Sequence, residues 1–214
     1  MTNSIKLAYH NPTKQIVHID KASNGINCDC KCIICEEQLE ARQGPVRDWH
    51  FKHHKNPHCS GGQETALHQL GKQILVANSG KLPIAIPGHG RIEYSNAVAE
   101  KELSSTRPDV TAIFGGKEIY FEIAVTHFVE PEKEDFFIRE QHTCVEIDLS
   151  EISTESYEEI ENVVLNHTEN KKIIFWEKEI EKESDNSWID KWVIAAAGFF
   201  FIRFLIRSFG GRRR

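Results

Sequence analysis

Apolar and polar positions first alternate with a period of two. Ile5 to Tyr9 and Gln15 to Ile19 read as two short strands, with Asn11-Pro12 as the turn between them. From about Glu64 to Ala77 the period lengthens. Leu67, Leu70, Ile74 and Leu75 recur at helical spacing and predict an amphipathic helix. Glu64, His68 and Lys72 recur every four residues and share another face of that helix. Lys81 to Ile86 and Arg91 to Tyr94 are candidate strands around the Pro87-Gly88 turn. Two stronger apolar runs follow, Val110 to Phe114 and Ile119 to Val125, and the Gly115-Gly116 pair between them predicts a hairpin. Pro131 to Gln141 reads as a helix with Pro131 in its first turn. Cys144 to Leu149 is a strand. A helix capped by Ser150 or Ser153 then runs to about Asn166, and Ile173 to Trp176 is a last short strand. Strands alternating with helices predict an α/β fold, a mixed sheet with helices on its faces.

At 214 residues the chain holds one sizeable domain and a small module. A formal net charge of −6 argues against a generally basic nucleic-acid coat protein. It leaves a nuclease open, because local patches and metal ions govern binding there. The opening MTNSIKLAYH lacks the apolar core of a secretory signal, so a cytoplasmic body is expected.

Five of the six cysteines lie between Cys28 and Cys59, and without an export signal such clustering favours metal over disulfides. Tetrahedral zinc takes its ligands as close pairs from two turns. Cys32 and Cys35 form the best first pair and His53 and Cys59 the best second, with His50 as a substitute for His53. Cys28 and Cys30 are surplus: they can displace a knuckle cysteine or remain free thiols. The expected role of the zinc is structural, because so small a segment has little core of its own.

The hairpin carries one carboxylate on each arm, Asp109 and Glu122, and Lys133 follows shortly after. Phosphodiester hydrolysis needs an activated water and neutralised phosphate charge, and a divalent cation supplies both. Mg²⁺ is held by one or two carboxylates with waters and substrate oxygens; the Ile123 carbonyl is a candidate further donor. The bland alternative for Asp109 is a turn residue after Pro108, and for Glu122 an edge residue. The second is harder to sustain, since Glu122 lies among Tyr120, Phe121, Ile123 and Val125, where an unpaired charge is costly. Glu93 is a further carboxylate expected within reach of the site.

Cys32-x-x-Cys35, Trp49-His50-Phe51-x-His53, Cys59, the helix with His68 and Lys72, Arg107-Pro108-Asp109-Val110 and Phe121-Glu122-Ile123-Ala124-Val125-Thr126-His127 follow one another in an order that resembles the CoiA-like competence nuclease family. The resemblance covers roughly residues 5 to 176. It implies an N-terminal zinc-binding module joined to a PD-(D/E)XK nuclease-like domain, and a Mg²⁺- or Mn²⁺-dependent endonuclease acting on DNA. By that likeness Asp109 and Glu122 match the acidic motif positions and Glu64 the helix carboxylate. Ala124 departs from the pattern, for lysine is expected there. Lys133 is the first candidate to replace it and Lys72 the second, with His68, Thr126 and His127 near the same cleft. Without a lysine at the metal the fold is a nucleic-acid-binding module or an adaptor.

The expected division is a zinc module over 1–60, a nuclease-like domain over 61–176, and a charged linker with a hydrophobic basic helix over 177–214. In the tail, Trp192 to Ile202 is an unbroken apolar run, short for a full span. Residues 188–207, with Trp188 and Trp192 at one end and Arg203 and Arg207 at the other, suit a membrane anchor, spanning or in-plane. The competing expectation is a helix docked on the body or on a second copy, a homo-oligomer.

Overall fold

The structure is a computed structural model that describes residues 4–56, 58–59 and 61–177. The first five strands, β1 (Leu7–His10), β2 (Gln15–His18), β3 (Gly25–Lys31), β4 (Gln38–Arg42) and β5 (His50–His53), form an antiparallel sheet in the order β2-β1-β3-β4-β5. Helix α1 (Gln63–Asn78) follows, then the small hairpin β6 (Ile84–Ile86) and β7 (Gly90–Ile92). The second sheet is built from β8 (Ser95–Ala99), β9 (Val110–Phe114), β10 (Lys117–Ala124), β11 (Cys144–Asp148) and β12 (Lys171–Phe175), side by side in chain order. Its pairs are antiparallel except β10 with β11. Parallel neighbours need a crossover, and α2 (Pro131–Arg139) supplies it; α3 (Tyr157–Asn166) joins β11 to β12.

Strand β10 organises this sheet because it is apolar on both faces. Ile119, Phe121 and Ile123 point into the main core with Leu67, Leu70 and Ile74 of α1 and Ile160 and Val164 of α3. Tyr120, on the opposite face, packs with Phe136 and Phe137 of α2 and with Cys144 and Ile174. The β9–β10 hairpin turns at Gly115 and Gly116, whose φ values of 59° and 81° suit the primed turns that match strand twist.

The expected division near residue 60 is crossed by the core. Leu7 and Ile16 of the first sheet lie in the same buried cluster as Leu67 and Phe121. Gln63 and Gln73 of α1 bond strand backbone as a neighbouring strand would. Gln63 Oε1 accepts from Lys6 N at 2.8 Å and Leu7 N at 2.9 Å, and Gln73 Oε1 accepts from Ile16 N at 2.7 Å. Gly62 sits at the helix entry with φ 60°; a Cβ there would lie 2.3 Å from Ile34 Cγ1, so only glycine lets the chain turn against the knuckle. Residues up to Glu177 accordingly form one compact unit.

Two local expectations change. Strand β8 escapes periodicity, because Ser95-Asn96-Ala97-Val98-Ala99 has little β propensity; it is held as an edge by β9, with a register shift along it. Helix α3 starts later than Ser150 or Ser153 would allow. Its cap is Ser156, whose Oγ accepts from Glu159 N at 3.1 Å, while Ser153 Oγ only closes a local turn to Glu155 N. The expectations for Trp188, Trp192, Arg203, Arg207 and the rest of 178–214 lie outside the described residues. Among the described residues no helix is long and apolar enough to cross a membrane.

Candidate functional site

Two groups of side chains with ligand chemistry lie in the compact unit. The first gathers where β9 begins and β10 ends. Val110 pairs with Phe121, so one further step along the antiparallel register sets Asp109 opposite Glu122. Helix α1 crosses close by at Gly71, where a Cβ would lie 3.1 Å from Ile123 Cγ2 and 3.1 Å from Leu149 Cδ1. This close approach brings the His68 and Lys72 face down to the strand. His68 Nε2 lies 3.0 Å from Asp109 Oδ2, and the same oxygen accepts from Ile123 N at 2.8 Å. An ionised carboxylate only accepts, so His68 carries its proton on Nε2 in this arrangement. Lys72 Nζ lies 3.7 Å from Asp109 Oδ1 and 2.8 Å from Glu100 Oε1. Burial pushes the Asp109 carboxyl up. The His68 and Ile123 hydrogen bonds and the charges of His68 and Lys72 outweigh it, holding Asp109 below its usual value.

Glu122 behaves oppositely. It is 4% exposed, and burial first of all pushes its pKa up to about 7; Lys133 opposes this and the Asp109 carboxylate adds to it. Lys133, in the first turn of α2, brings Nζ to 2.7 Å from Glu122 Oε1 and donates to the Arg107 carbonyl at 3.2 Å. The Lys133–Glu122 contact is close but poorly aligned, so Oε1 is buried without a proper hydrogen bond. It is a charge contact with unused acceptor capacity. Glu64, from the start of α1, takes the Thr126 hydroxyl, and His127 Nδ1 lies 3.9 Å from Glu64 Oε1.

Glu64, Thr126 and His127 form one set of contacts near the end of the hairpin, His68, Lys72 and Asp109 a second, and Glu122 with Lys133 a third. Ala124 is buried and paired with Asp148 of β11, leaving α2 as the source of the lysine beside Glu122. Glu93 does not join them. It lines a hollow with Lys81, Tyr94, Gly115 and Gly116, at the turn end of the hairpin, because β10 runs its full length between that turn and Glu122. Two further acids lie beside these groups, Glu100 against Lys72 and Glu146 in register with Glu122. Glu100 has no periodic signal, since it sits in an exposed bend with φ 53°. Glu146 had one: like Glu122 it is a charge inside an apolar strand, Cys144-Val145-Glu146-Ile147.

A hard cation suits the donor set of this first group. Glu122 Oε1 is a buried oxygen with spare lone-pair capacity beside a second carboxylate, and Mg²⁺ is often held by one or two carboxylates with waters. The two acids do not by themselves make a closed cage. Among the described residues the one group of three or more metal-type ligands within mutual reach is the Cys/His group.

That second group is Cys32, Cys35, His53 and Cys59, whose ligand atoms all lie within 4.8 Å of one another. Cys32 Sγ is 3.7 Å from Cys59 Sγ, and Cys35 Sγ is 3.3 Å from His53 Nε2. A tetrahedron with Zn–S of about 2.3 Å and Zn–N of about 2.0 Å has edges of roughly 3.8 Å between sulfurs and roughly 3.5 Å between sulfur and nitrogen. The residues therefore fit a zinc-like ion. Glu37 shapes the loop that returns Cys59, since its carboxylate accepts from His54 N at 2.8 Å and Asn56 N at 2.9 Å. Burial pushes the Cys32 thiol up to about 11, whereas the Gly61 amide and then the neighbouring thiols hold Cys59 below its usual value. His50 stays outside, with Nδ1 2.8 Å from the Asp48 carbonyl. It sits one strand period from His53 plus one residue, which turns it to the other face of β5. Cys28 and Cys30 are core residues of β3 and hydrogen-bond to carbonyls, Cys28 Sγ to Leu39 at 3.4 Å and Cys30 Sγ to Cys28 at 3.1 Å.

No protein-family model, curated protein or solved structure matches this chain in comparison.

Proposed function

We propose that the protein is a metal-dependent nuclease that hydrolyses phosphodiester bonds in DNA, with a structural zinc in its first sheet. The observation that carries this reading is Lys133 Nζ lying 2.7 Å from Glu122 Oε1, with Asp109 opposite Glu122 across the hairpin. Two acids and a lysine from three elements meet although Ala124 occupies the place where the resemblance expects the lysine. This is the constellation that a mixed α/β nuclease fold of the CoiA-like kind would require.

Asp109 and Glu122 would hold Mg²⁺ or Mn²⁺, with Glu64 nearby at the cleft. When bound, the ion neutralises phosphate charge and acidifies a water. The chain's own groups do the rest. His68 and the Ile123 amide fix Asp109 in its ionised form. Glu122, whose carboxyl burial holds high, would be the ligand that ionises on binding the cation. With a cation sharing the Glu122 charge, Lys133 would be placed to direct its ammonium at a phosphate oxygen or the attacking water. Cys32, Cys35, His53 and Cys59 would hold zinc with no open position and leave it structural.

The test is cleavage of duplex and single-stranded DNA by the full chain with Mg²⁺ and with Mn²⁺. Cleavage that stops in Asp109→Ala and in Glu122→Ala supports the assignment; cleavage that persists in both refutes it. One observation favours a second reading, a DNA-binding module without cleavage: Lys133 and Lys72 already lie against the carboxylates as cationic partners, and His68 as a hydrogen-bond partner. DNA binding with no cleavage under either metal is the outcome that selects it.

A further inference from the structure

We infer that Glu146 is the positioning residue that sets the lysine of this site, by tethering the start of α2. This inference rests on the proposed role of Lys133. A lysine on the strand beside Glu122 would be placed by the sheet itself. Here it comes from the crossover helix, and something must fix where that helix begins.

Glu146 sits at the right place. It pairs in register with Glu122 across the parallel β10–β11 ladder, and on its other side with Lys172 of β12. It is 4% exposed. Its Oε1 accepts from Val129 N at 2.5 Å. Val129 immediately precedes Glu130, the N-cap of α2, which has no side-chain capping bond of its own. Lys133 N and Glu134 N then close the first turn on the Glu130 carbonyl at 3.0 and 2.9 Å. A shift at Val129 is therefore carried into that turn, and Lys133 is displaced from Glu122.

A second contact braces the same turn: Lys172 Nζ lies 2.9 Å from Glu134 Oε1. The arrangement is a row across the sheet, Glu122, Glu146 and Lys172, addressed by Lys133, Val129 and Glu134 from above. Of the three residues in the row, Glu146 is the one that bonds the backbone leading into α2, so it fixes the path of the chain there, whereas the two ion pairs join flexible side chains. A buried carboxylate that accepts a peptide N–H is a strong, directional anchor.

The experiment combines Glu146→Ala, Glu146→Gln, Lys133→Met and Glu146→Ala/Lys133→Met in the full chain, each checked for cooperative unfolding. The first readout needs no activity: the rate at which the Lys133 amine is labelled by a reductive-methylation reagent, quantified by peptide mass spectrometry. Glu146→Ala should raise that rate severalfold. Glu146→Gln keeps an oxygen acceptor for Val129 N–H and should hold it near the parent value. The second readout is cleavage. Glu146→Ala should lower kcat by on the order of 10- to 100-fold with little change in KM for DNA, and Glu146→Gln should recover most of it. The double variant should be no slower than Lys133→Met alone, since residues acting as one unit are not additive.

Unchanged Lys133 labelling in Glu146→Ala overturns the inference. So does Glu146→Gln behaving like Glu146→Ala, which would make the charge rather than the tether the working part, and so do multiplicative losses in the double variant. A parent chain that cleaves nothing refutes the nuclease reading and leaves the labelling result to decide the tether.

Discussion

Asp109 and Glu122 face each other across one hairpin yet are set in opposite states. Asp109 is held low by hydrogen bonds from His68 and Ile123, while burial carries Glu122 up to about 7. The sign of the Glu122 effect on stability follows from its folded value lying above its ordinary 4.5. Its contribution is fully present below pH 4.5, declines as pH rises, and is lost above about 7. The metal-free protein should therefore lose on the order of 3 kcal/mol from this one group between those limits. Glu122→Gln should remove that pH dependence and raise the metal-free Tm at pH 8, read by thermal unfolding across the range. Millimolar Mg²⁺ should raise Tm at pH 8 for the parent and leave Glu122→Gln unmoved. A parent Tm indifferent to Mg²⁺ would count against a cation at these acids. Lys133→Met removes the one cation that contacts Glu122 among the described residues, so its pKa should climb further, and any pH–rate profile should shift to higher pH.

Elements were legible where one face is apolar and the caps are local. The β9–β10 hairpin is written in two apolar runs around Gly115-Gly116, and α1 in the spacing of Leu67, Leu70 and Ile74. What the chain does not write locally is how distant pieces satisfy one another. Gln63 and Gln73 look like ordinary polar helix residues, yet they bond strand backbone more than fifty positions away. Strand β8 exists because β9 offers it an edge, and Glu100 meets Lys72 only after α1 and that edge have met. His53 and Cys59 were readable as ligands because Cys-x-x-Cys leaves a tetrahedron half filled. The exclusion of Cys28 and Cys30 depends on which face of β3 is core.

Two consequences belong to single elements. Gly62→Ala forces a side chain at φ 60° into Ile34, so it should destabilise the protein by about 1–3 kcal/mol in thermal or denaturant unfolding. Ser156→Ala should cost about 1 kcal/mol by removing the cap of α3, and leave any cleavage activity alone.

Across the whole compact unit, the first sheet carries the Cys/His group and packs directly on the helix that carries Glu64, His68 and Lys72. Its own core is small, with Cys28, Cys30 and Cys32 among its few buried residues. Cys59→Ser, or a strong chelator, should release the bound ion and lower Tm by several degrees or abolish the cooperative transition. Metal content by elemental analysis alongside circular dichroism checks this. A protein that purifies metal-free and fully folded would contradict it.

The seating of Gly62 against Ile33 and Ile34 has a further thermodynamic meaning. The knuckle between Cys32 and Cys35 is in contact with Gly62, the N-cap of α1, and the first turns of α1 hold the groups that face Asp109 and Thr126. Binding events at the two ends of such a strut are linked functions. If filling the Cys/His group steadies the helix and so favours a cation between Asp109 and Glu122, that cation must favour the Cys/His ion by the same factor. The chain would then report the availability of one metal as its affinity for another.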